Sequence, residues 1–366
     1  MNFDTCIDLL RRGVAEGAFP CAAYAIGTGR TVHASGVLGS RTLVPSPEPC
    51  DRGTLFDLAS LSKLVSTTMV ALRLIEDGVI LLTDPLSRFF TPVELEGAPA
   101  GRADVSVFRL MTHTSGITPG VALWKVMDQP DDAAVAHAIL SSAPYCKPGE
   151  QVYYSCMGYI LLQKILERVT GRTLDDLARD YVFGPLGMRS TCYRPTSDNV
   201  VTTELSPYWH YYIKGHVHDE NAHFIGGVSG NAGVFAPLDD MINFAVMIAT
   251  HGELPGAAFG TAEGRLLARC TFEAAIRDYT PGLAESRGLG FQLKQPLPET
   301  AACGDLMAYG SYGHTGYTGT SLYVDRETGL WGLLLTNAVH LGRENKGPYF
   351  RFRKLFYNAM AAGADK

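Results

Sequence analysis

The chain has 366 residues, 46% hydrophobic and 19% charged, with a formal net charge of −6. This excludes a disordered chain and suits a folded protein of one large domain or two modest ones. It contains no run of Lys or Arg, and no stretch near the ~18 apolar residues that span a bilayer, so neither nucleic acid nor a membrane is an expected partner.

The opening residues, MNFDTCIDLLRRG, lack a basic region followed by an apolar run and do not read as a signal peptide. Their apolar spacing at Ile7, Leu10 and Val14 predicts an amphipathic helix. CAAYAIG (21–27) and TVHASGVLG (31–39) predict a β-hairpin, followed by a polar, Pro-rich loop over 44–53. A long helix is expected from about Ser60 to Asp77, closed by Gly78. It carries Leu61, Leu64, Val65, Met69, Val70, Leu72 and Ile75 and is apolar nearly all round, as a buried helix is. Further helices are predicted over 157–170 (ended by Gly171), over 174–182 (with Thr173 and Asp176 as a capping box) and over 238–250. Strands are expected over 288–294, 320–325 and 330–337, the last two flanking the turn RETG, and then a final helix over 349–361.

Strands at both ends and helices between them predict an α/β (α+β) fold in a single domain. One antiparallel sheet, flanked by helices, forms from about 1–80 and 285–366, and a mostly helical part covers about 81–284. The eight cysteines (6, 21, 50, 146, 156, 192, 270 and 303) include no Cys-x-x-Cys pair. They read as free thiols in a reducing compartment, and a cytoplasmic location is expected.

The chemistry centres on ASLSKLV (59–65). Ser60 and Lys63 are three apart, which on a helix puts them on one face within reach of each other. A serine hydroxyl needs a base to become a nucleophile. A buried lysine either loses its charge or keeps it and stabilises a neighbouring anion. Ser60 at a helix N-terminus would add exposed N–H groups where an oxyanion forms. The plain alternative is an N-cap serine beside a surface lysine, but Lys63 lies in an otherwise apolar helix, and a buried lysine needs a partner. Tyr154, just before an apolar helix, is a candidate general base whose pKa a nearby cationic lysine would lower from ~10. In GSYGHTGYTGTSLYVD (310–325) the glycines permit close backbone approach. The N–H of Tyr317 is placed to face that of Ser60, and His314 to donate to a substrate or shuttle a proton.

With Ser-x-x-Lys, Tyr-Ser-x and His-Thr-Gly in this order, the chain resembles the serine β-lactamase and penicillin-binding-protein superfamily, and within it the class C β-lactamase and esterase branch. The similarity extends to VSVFRLMTHTSGI (105–117), KPGEQVYYSCMGYILLQKILERVTG (147–171), YVFGPLGM (181–188) and GGVSGNAGVFAPLDDMINFAVMI (226–248). The resemblance implies an acyl-enzyme at Ser60, with Lys63 and Tyr154 moving protons. It implies His314, Thr315 and Gly316 at the family's Lys-Thr-Gly position, and an oxyanion hole from the N–H groups of Ser60 and Tyr317. No cofactor or metal is implied. Cys156 stands where the family has Asn or Asp, at a position that contacts substrate. A thiol is a weak donor and acceptor there, which disfavours β-lactam hydrolysis. His314 in place of Lys points to the esterase and peptidase-like members. GHVHDENAHFIGG (215–227) is similar to a segment of relatives that act on cell-wall fragments, and it adds His218 and Asn221 as substrate-binding candidates. The implied function is a serine hydrolase of amide or ester bonds in small-molecule or peptide substrates, with muropeptides as one class. The same site also fits a carboxylesterase, a weak β-lactamase or a D-amino-acid peptidase.

Two other readings stay open. His216, His218, Asp219 and His223 lie within eight residues and suggest a metal-dependent hydrolase, provided they converge in space. A non-catalytic ligand-binding relative on the same scaffold is the other.

Overall fold

The computed structural model describes residues 1–296 and 301–365. Eight strands form the main sheet: β1 (Cys21–Thr28), β2 (Thr31–Thr42), β3 (Glu48–Pro49), β4 (Ser286–Arg287), β5 (Gln292–Leu293), β6 (Tyr312–Gly316), β7 (Thr320–Val324) and β8 (Leu330–Thr336). Their order is β3-β2-β1-β8-β7-β6-β5-β4, with every neighbouring pair antiparallel. β1 pairs with β8 from Ala22↔Thr336 to Thr28↔Leu330, which joins the two ends of the chain in one sheet.

Both faces of that sheet are covered, and the two-residue period of β1 shows how. Cys21, Ala23 and Ala25 enter one core, while Ala22, Tyr24 and Ile26 enter a second. The second core lies under α1 (Asp4–Ala15) and the last helix, α5 (Gly347–Ala364), which pack on each other. In α1, Leu10 is buried and Ile7 and Val14 pack against the same core, as the apolar spacing predicts. The first core holds α2 (Met69–Glu76), α3 (Cys156–Thr170) and α4 (Leu238–Ala249). α3 is N-capped by Ser155, whose Oγ accepts the Gly158 N–H at 3.3 Å, and it ends at Gly171 with φ of 66°. The region between β3 and β4 is helix-rich, with two small sheets, Phe56–Asp57/Val234–Ala236/Cys192–Tyr193 and Thr202–Leu205/Tyr212–Lys214. Among the described residues, no helix is long and apolar enough to cross a membrane.

Three local expectations change. The helix expected from Ser60 is not regular: Lys63–Thr68 forms a π-helical stretch before α2 takes over. Of the strand expected over 288–294 only Gln292–Leu293 forms one, because Gly288 N–H bonds back to Phe291 O at 3.0 Å and Gly290 (φ 77°) turns the chain back to the unforeseen strand Ser286–Arg287. The capping box at Thr173 is half made. Its hydroxyl accepts the Asp176 N–H at 3.2 Å, but it also donates to the Asp176 carboxylate at 2.8 Å, which takes up the side chain that would reach back to the backbone. There the α-helical geometry ends at Ala178 and a π turn follows over Arg179–Phe183.

Candidate active site

Ser60 follows a strained residue. Ala59 has φ of 46°, a left-handed conformation rare for a residue with a Cβ. Neighbours on both sides hold it there. Asp57 Oδ1 accepts the Ala59 N–H at 2.8 Å, and Oδ2 accepts the His218 N–H at 2.8 Å. Two hydroxyls beyond the turn after β6 clamp the same loop: Thr318 Oγ1 donates to Asp57 O at 2.7 Å and Thr320 Oγ1 to Leu58 O at 2.9 Å. At Gly316 the strand runs so close that a Cβ would lie 2.2 Å from Leu58 O and 2.1 Å from Thr320 Oγ1, so glycine is required by contact. Neither the Ser60 nor the Tyr317 backbone N–H has a hydrogen-bond partner among the described residues.

Lys63 is fully buried. Its Nζ donates to Ser60 Oγ at 3.1 Å and Asn231 O at 2.8 Å, and contacts Cys156 Sγ at 3.4 Å. Burial pulls its pKa down, but Cys156 and Tyr154 outweigh that and raise it above the usual lysine value. The ammonium also lies 4.8 Å from the centre of the Tyr154 ring. The Tyr154 hydroxyl is buried without a hydrogen bond of normal geometry. Burial raises its pKa and Lys63 only partly offsets this, so the phenol titrates above its ordinary value. This corrects the expectation of a lowered pKa: desolvation of the phenolate is the larger effect. The resting pair is therefore an ammonium and a phenol.

His314 forms a bond from Nδ1 to Thr315 O at 2.7 Å, which assigns the proton to Nδ1 and leaves the buried Nε2 as an acceptor without a partner. Burial first, then the charges of Arg287 and Lys63, push its pKa down to about 3. A neutral imidazole in this tautomer accepts at Nε2. It does not donate there, as the sequence reading expected.

Ser60 lines a cavity of about 320 Å³ with Tyr154, His314, Thr315, Gly316 and Tyr317. Lys63 and Cys156 are not in its wall; the Cys156 sulfur faces Lys63. His218 is buried behind Tyr317, with the two rings stacked at 5.6 Å, and its Nε2 meets Glu204 at 2.8 Å. Both ends of the Asn221 amide are used on the loop at 121–123, donating to Val121 O and accepting from Leu123 N–H at 2.9 Å each. The His216 and His223 rings meet at a tilt with their centres 4.9 Å apart, and the Asp219 carboxylate caps a helix through Ala222 N–H. Among the described residues no group of three or more His, Cys, Asp or Glu is arranged to hold a metal.

Three residues of the site escaped the sequence reading. His113 Nδ1 accepts the Ser155 N–H at 3.2 Å, and its ring packs 4.5 Å from Tyr154 and 5.1 Å from Tyr159. Asn231 serves through its carbonyl. Arg287, on the short edge strand β4, places its guanidinium carbon 5.5 Å from the Tyr154 ring centre. His113 and Asn231 lie in segments that carried the resemblance but had been given no role.

A family model described as Beta-lactamase matches residues 7–355. The chain is 27% identical over 330 residues to a protein of Escherichia coli O157:H7 named putative D-alanyl-D-alanine carboxypeptidase, covering 81% of this chain and 72% of the relative. Its fold is similar to that of EstCE1, described as a hydrolase with promiscuous acyltransferase activity (TM-score 0.75, 19% identity, 98% of each chain). It is also similar to the octameric penicillin-binding protein homologue from Pyrococcus abyssi (TM-score 0.70, 20% identity, 92% of this chain and 74% of that one).

Proposed function

We propose, since the chain belongs to the beta-lactamase family of serine hydrolases, that Ser60 is the nucleophile and is acylated by ester or D-amino-acid peptide substrates. The observation that carries this is the 3.1 Å contact between Ser60 Oγ and the Nζ of a fully buried Lys63, at the wall of the cavity. Ser60 Oγ attacks the substrate carbonyl carbon and a C–O bond forms. Once the Lys63–Tyr154 pair has lost one of its own protons to solvent, it takes the serine proton and passes it to the leaving alcohol or amine as the bond to the acyl carbon breaks. Water then repeats the sequence in reverse and releases the acid. The free N–H groups of Ser60 and Tyr317 are the donors assigned to the oxyanion, and His314 Nε2 is the acceptor assigned to the Tyr154 hydroxyl.

Substrate class rests on chemistry and on relatives. The E. coli relative is named a carboxypeptidase for D-alanyl-D-alanine, and EstCE1 a hydrolase. With a thiol at position 156 and an imidazole at position 314, the reading favours esters and D-amino-acid peptides, muropeptides among them, over β-lactams. Eight free thiols support a reducing, cytoplasmic setting as part of the same proposal. Intact-mass spectrometry after a fluorophosphonate, with Ser60→Ala as control, tests the nucleophile: one adduct is expected on the native chain and none on the variant. An adduct that persists in Ser60→Ala overturns it. A panel of p-nitrophenyl esters, nitrocefin, D-alanyl peptides and muropeptides then ranks the substrates.

A further inference from the structure

Cys156 is the first residue of α3, and it is half-buried. Its Sγ lies 3.4 Å from Lys63 Nζ. The other two hydrogen-bond contacts of that nitrogen are oxygens, Ser60 Oγ at 3.1 Å and Asn231 O at 2.8 Å. Two settings in which cysteines react therefore meet at this sulfur, a helix N-terminus and a neighbouring lysine, and the residue keeps partial access to solvent. By contrast, Cys6 and Cys21 are fully buried, the first against the Phe356 carbonyl and the second against the Asn337 amide oxygen. The hydrolytic sequence proposed above uses the Lys63 nitrogen and has no use for the sulfur beside it.

We propose that Lys63 and Cys156 form an oxidative modification site, at which a hydroperoxide joins Nζ to Sγ as a sulfenamide and a thiol reopens the bond. In the first step the Cys156 sulfur attacks a peroxide oxygen. An S–O bond forms, the O–O bond breaks, and the departing oxygen leaves as water; sulfur is oxidised to the sulfenic acid and the peroxide is reduced. In the second step Lys63 Nζ, having lost a proton to solvent, attacks the sulfenic sulfur. An N–S bond forms, the S–O bond breaks, and the hydroxide leaves as water with a further proton from the amine, so no more oxidant is consumed. Burial lowers the Lys63 pKa, while Cys156 and Tyr154 raise it. Conversion of the thiol to a sulfenic acid removes the first of the raising influences, so the amine gives up its proton more readily once the sulfur is oxidised. Ring closure joins groups already in contact, which favours it over attack by a second peroxide on a half-buried sulfur. Once bonded to sulfur, Lys63 no longer carries a proton for Ser60. The loss of activity rests on the reading of Ser60 as nucleophile and Lys63 as its proton carrier; the bond itself does not. Where the family has Asn or Asp, the thiol adds a reaction that neither an amide nor a carboxylate performs.

The test exposes the native protein to hydrogen peroxide and maps its tryptic peptides without reduction. Cleavage after Lys63 should stop, and the peptide spanning Lys63 should appear joined to the one holding Cys156, ~2 Da lighter than the two together. In the joined form, kcat/KM on p-nitrophenyl butyrate and the rate of Ser60 labelling by a fluorophosphonate should fall together by ~100-fold or more, the scale of losing a proton-transfer group. Dithiothreitol should separate the peptides and restore both. Cys156→Ala should form no joined peptide and lose its own activity to peroxide ~10-fold more slowly than the native chain. Lys63→Met should also form none, and its Cys156 should instead oxidise onward to the sulfinic acid, ~32 Da heavier. Because a variant can misfold, the native map decides by itself: an oxidised Cys156 beside a Lys63 that trypsin still cleaves overturns the site. Inactivation of Cys156→Ala at the native rate overturns it too. A joined peptide with hydrolysis undiminished upholds the site and overturns Lys63 as the proton carrier. Absence of the Ser60 adduct on untreated protein overturns the nucleophile and leaves the bond standing.

Discussion

Gly316 passes Leu58 so closely that a single methyl group would lie 2.2 Å from the Leu58 carbonyl oxygen. The contact presses the end of β6 against the loop that carries Ser60. Gly316→Ala is expected to force the two apart, costing ~1–3 kcal/mol of stability as overpacking does. Ester hydrolysis should fall ~100-fold, since displacements of about 1 Å cost that much. Thermal melting and kcat on one ester check both. Thr320→Val, which removes only the clamp to Leu58 O, should fall between the variant and the native protein.

Lys63→Met removes the charge that contacts Ser60 and leaves Asn231 O without its donor. A loss of ~10²–10⁴ in kcat/KM is expected, the usual span for a proton-transfer group. The rate of Ser60 labelling by a fluorophosphonate should fall in parallel. A label that forms at the native rate would remove Lys63 from the activation of Ser60.

The pH profile should identify the proton carrier. His314 is held near 3 and His113 well below its ordinary value, in both cases first by burial, so neither titrates near 6.5. Tyr154 is held above its ordinary value and Lys63 above its own. Proton loss from that pair becomes easier as pH rises, so kcat/KM should climb from pH 6 to pH 9 without the inflection near 6.5 that a histidine base gives. An inflection there would reassign the base.

Cys156 is half-buried and 3.4 Å from Lys63, whereas Cys270 is exposed and does not line the cavity. Iodoacetamide should therefore inactivate the protein through Cys156, and prior acylation of Ser60 should slow it. Alkylation confined to Cys270 should leave hydrolysis intact. Peptide mapping against residual activity separates the two.

Glu204 gives an acid-stability prediction. Burial raises its pKa, but His218 and Arg343 outweigh this and hold it at about 2. A carboxyl depressed in the folded state adds stability that is present above its unfolded pKa near 4.3 and lost as pH falls toward the folded one. Glu204→Gln should cost about 2–3 kcal/mol at pH 7 and flatten the loss of stability between about pH 5 and pH 2, as urea melts at each pH would report.

What could be read from the sequence was what depends on local spacing. Ser60 and Lys63 are three apart on one helix, so their contact follows from helical geometry. The apolar runs in β1 and β8 marked the middle strands of the sheet. What escaped depends on tertiary adjacency. Asn231 acts through a carbonyl that every residue has, so no side chain marks it. Arg287 stands on a two-residue strand just ahead of the expected 288–294 strand, too short for apolar patterning to mark. The pKa of Tyr154 was misjudged because its distance from Lys63 can be guessed from motif order while the desolvation around it cannot. The His216–His223 cluster is dense in sequence, yet among the described residues its side chains form no group that could hold a metal.

The π-helical stretch at Lys63–Thr68 has a consequence for descent and engineering. A π turn holds one residue more than the α turn it replaces, and such turns recur at functional positions. Deleting one residue between 64 and 68 would restore regular winding and improve the helix taken by itself. Because the turn absorbs the extra residue, the segments on either side stay in phase across such a deletion. Ser60 ahead of the stretch and α2 after it would keep their places, and the change would fall on the buried residues between them, Lys63 to Thr68. A length change of one residue there should be tolerated by the fold, and its cost to the chemistry read through Lys63.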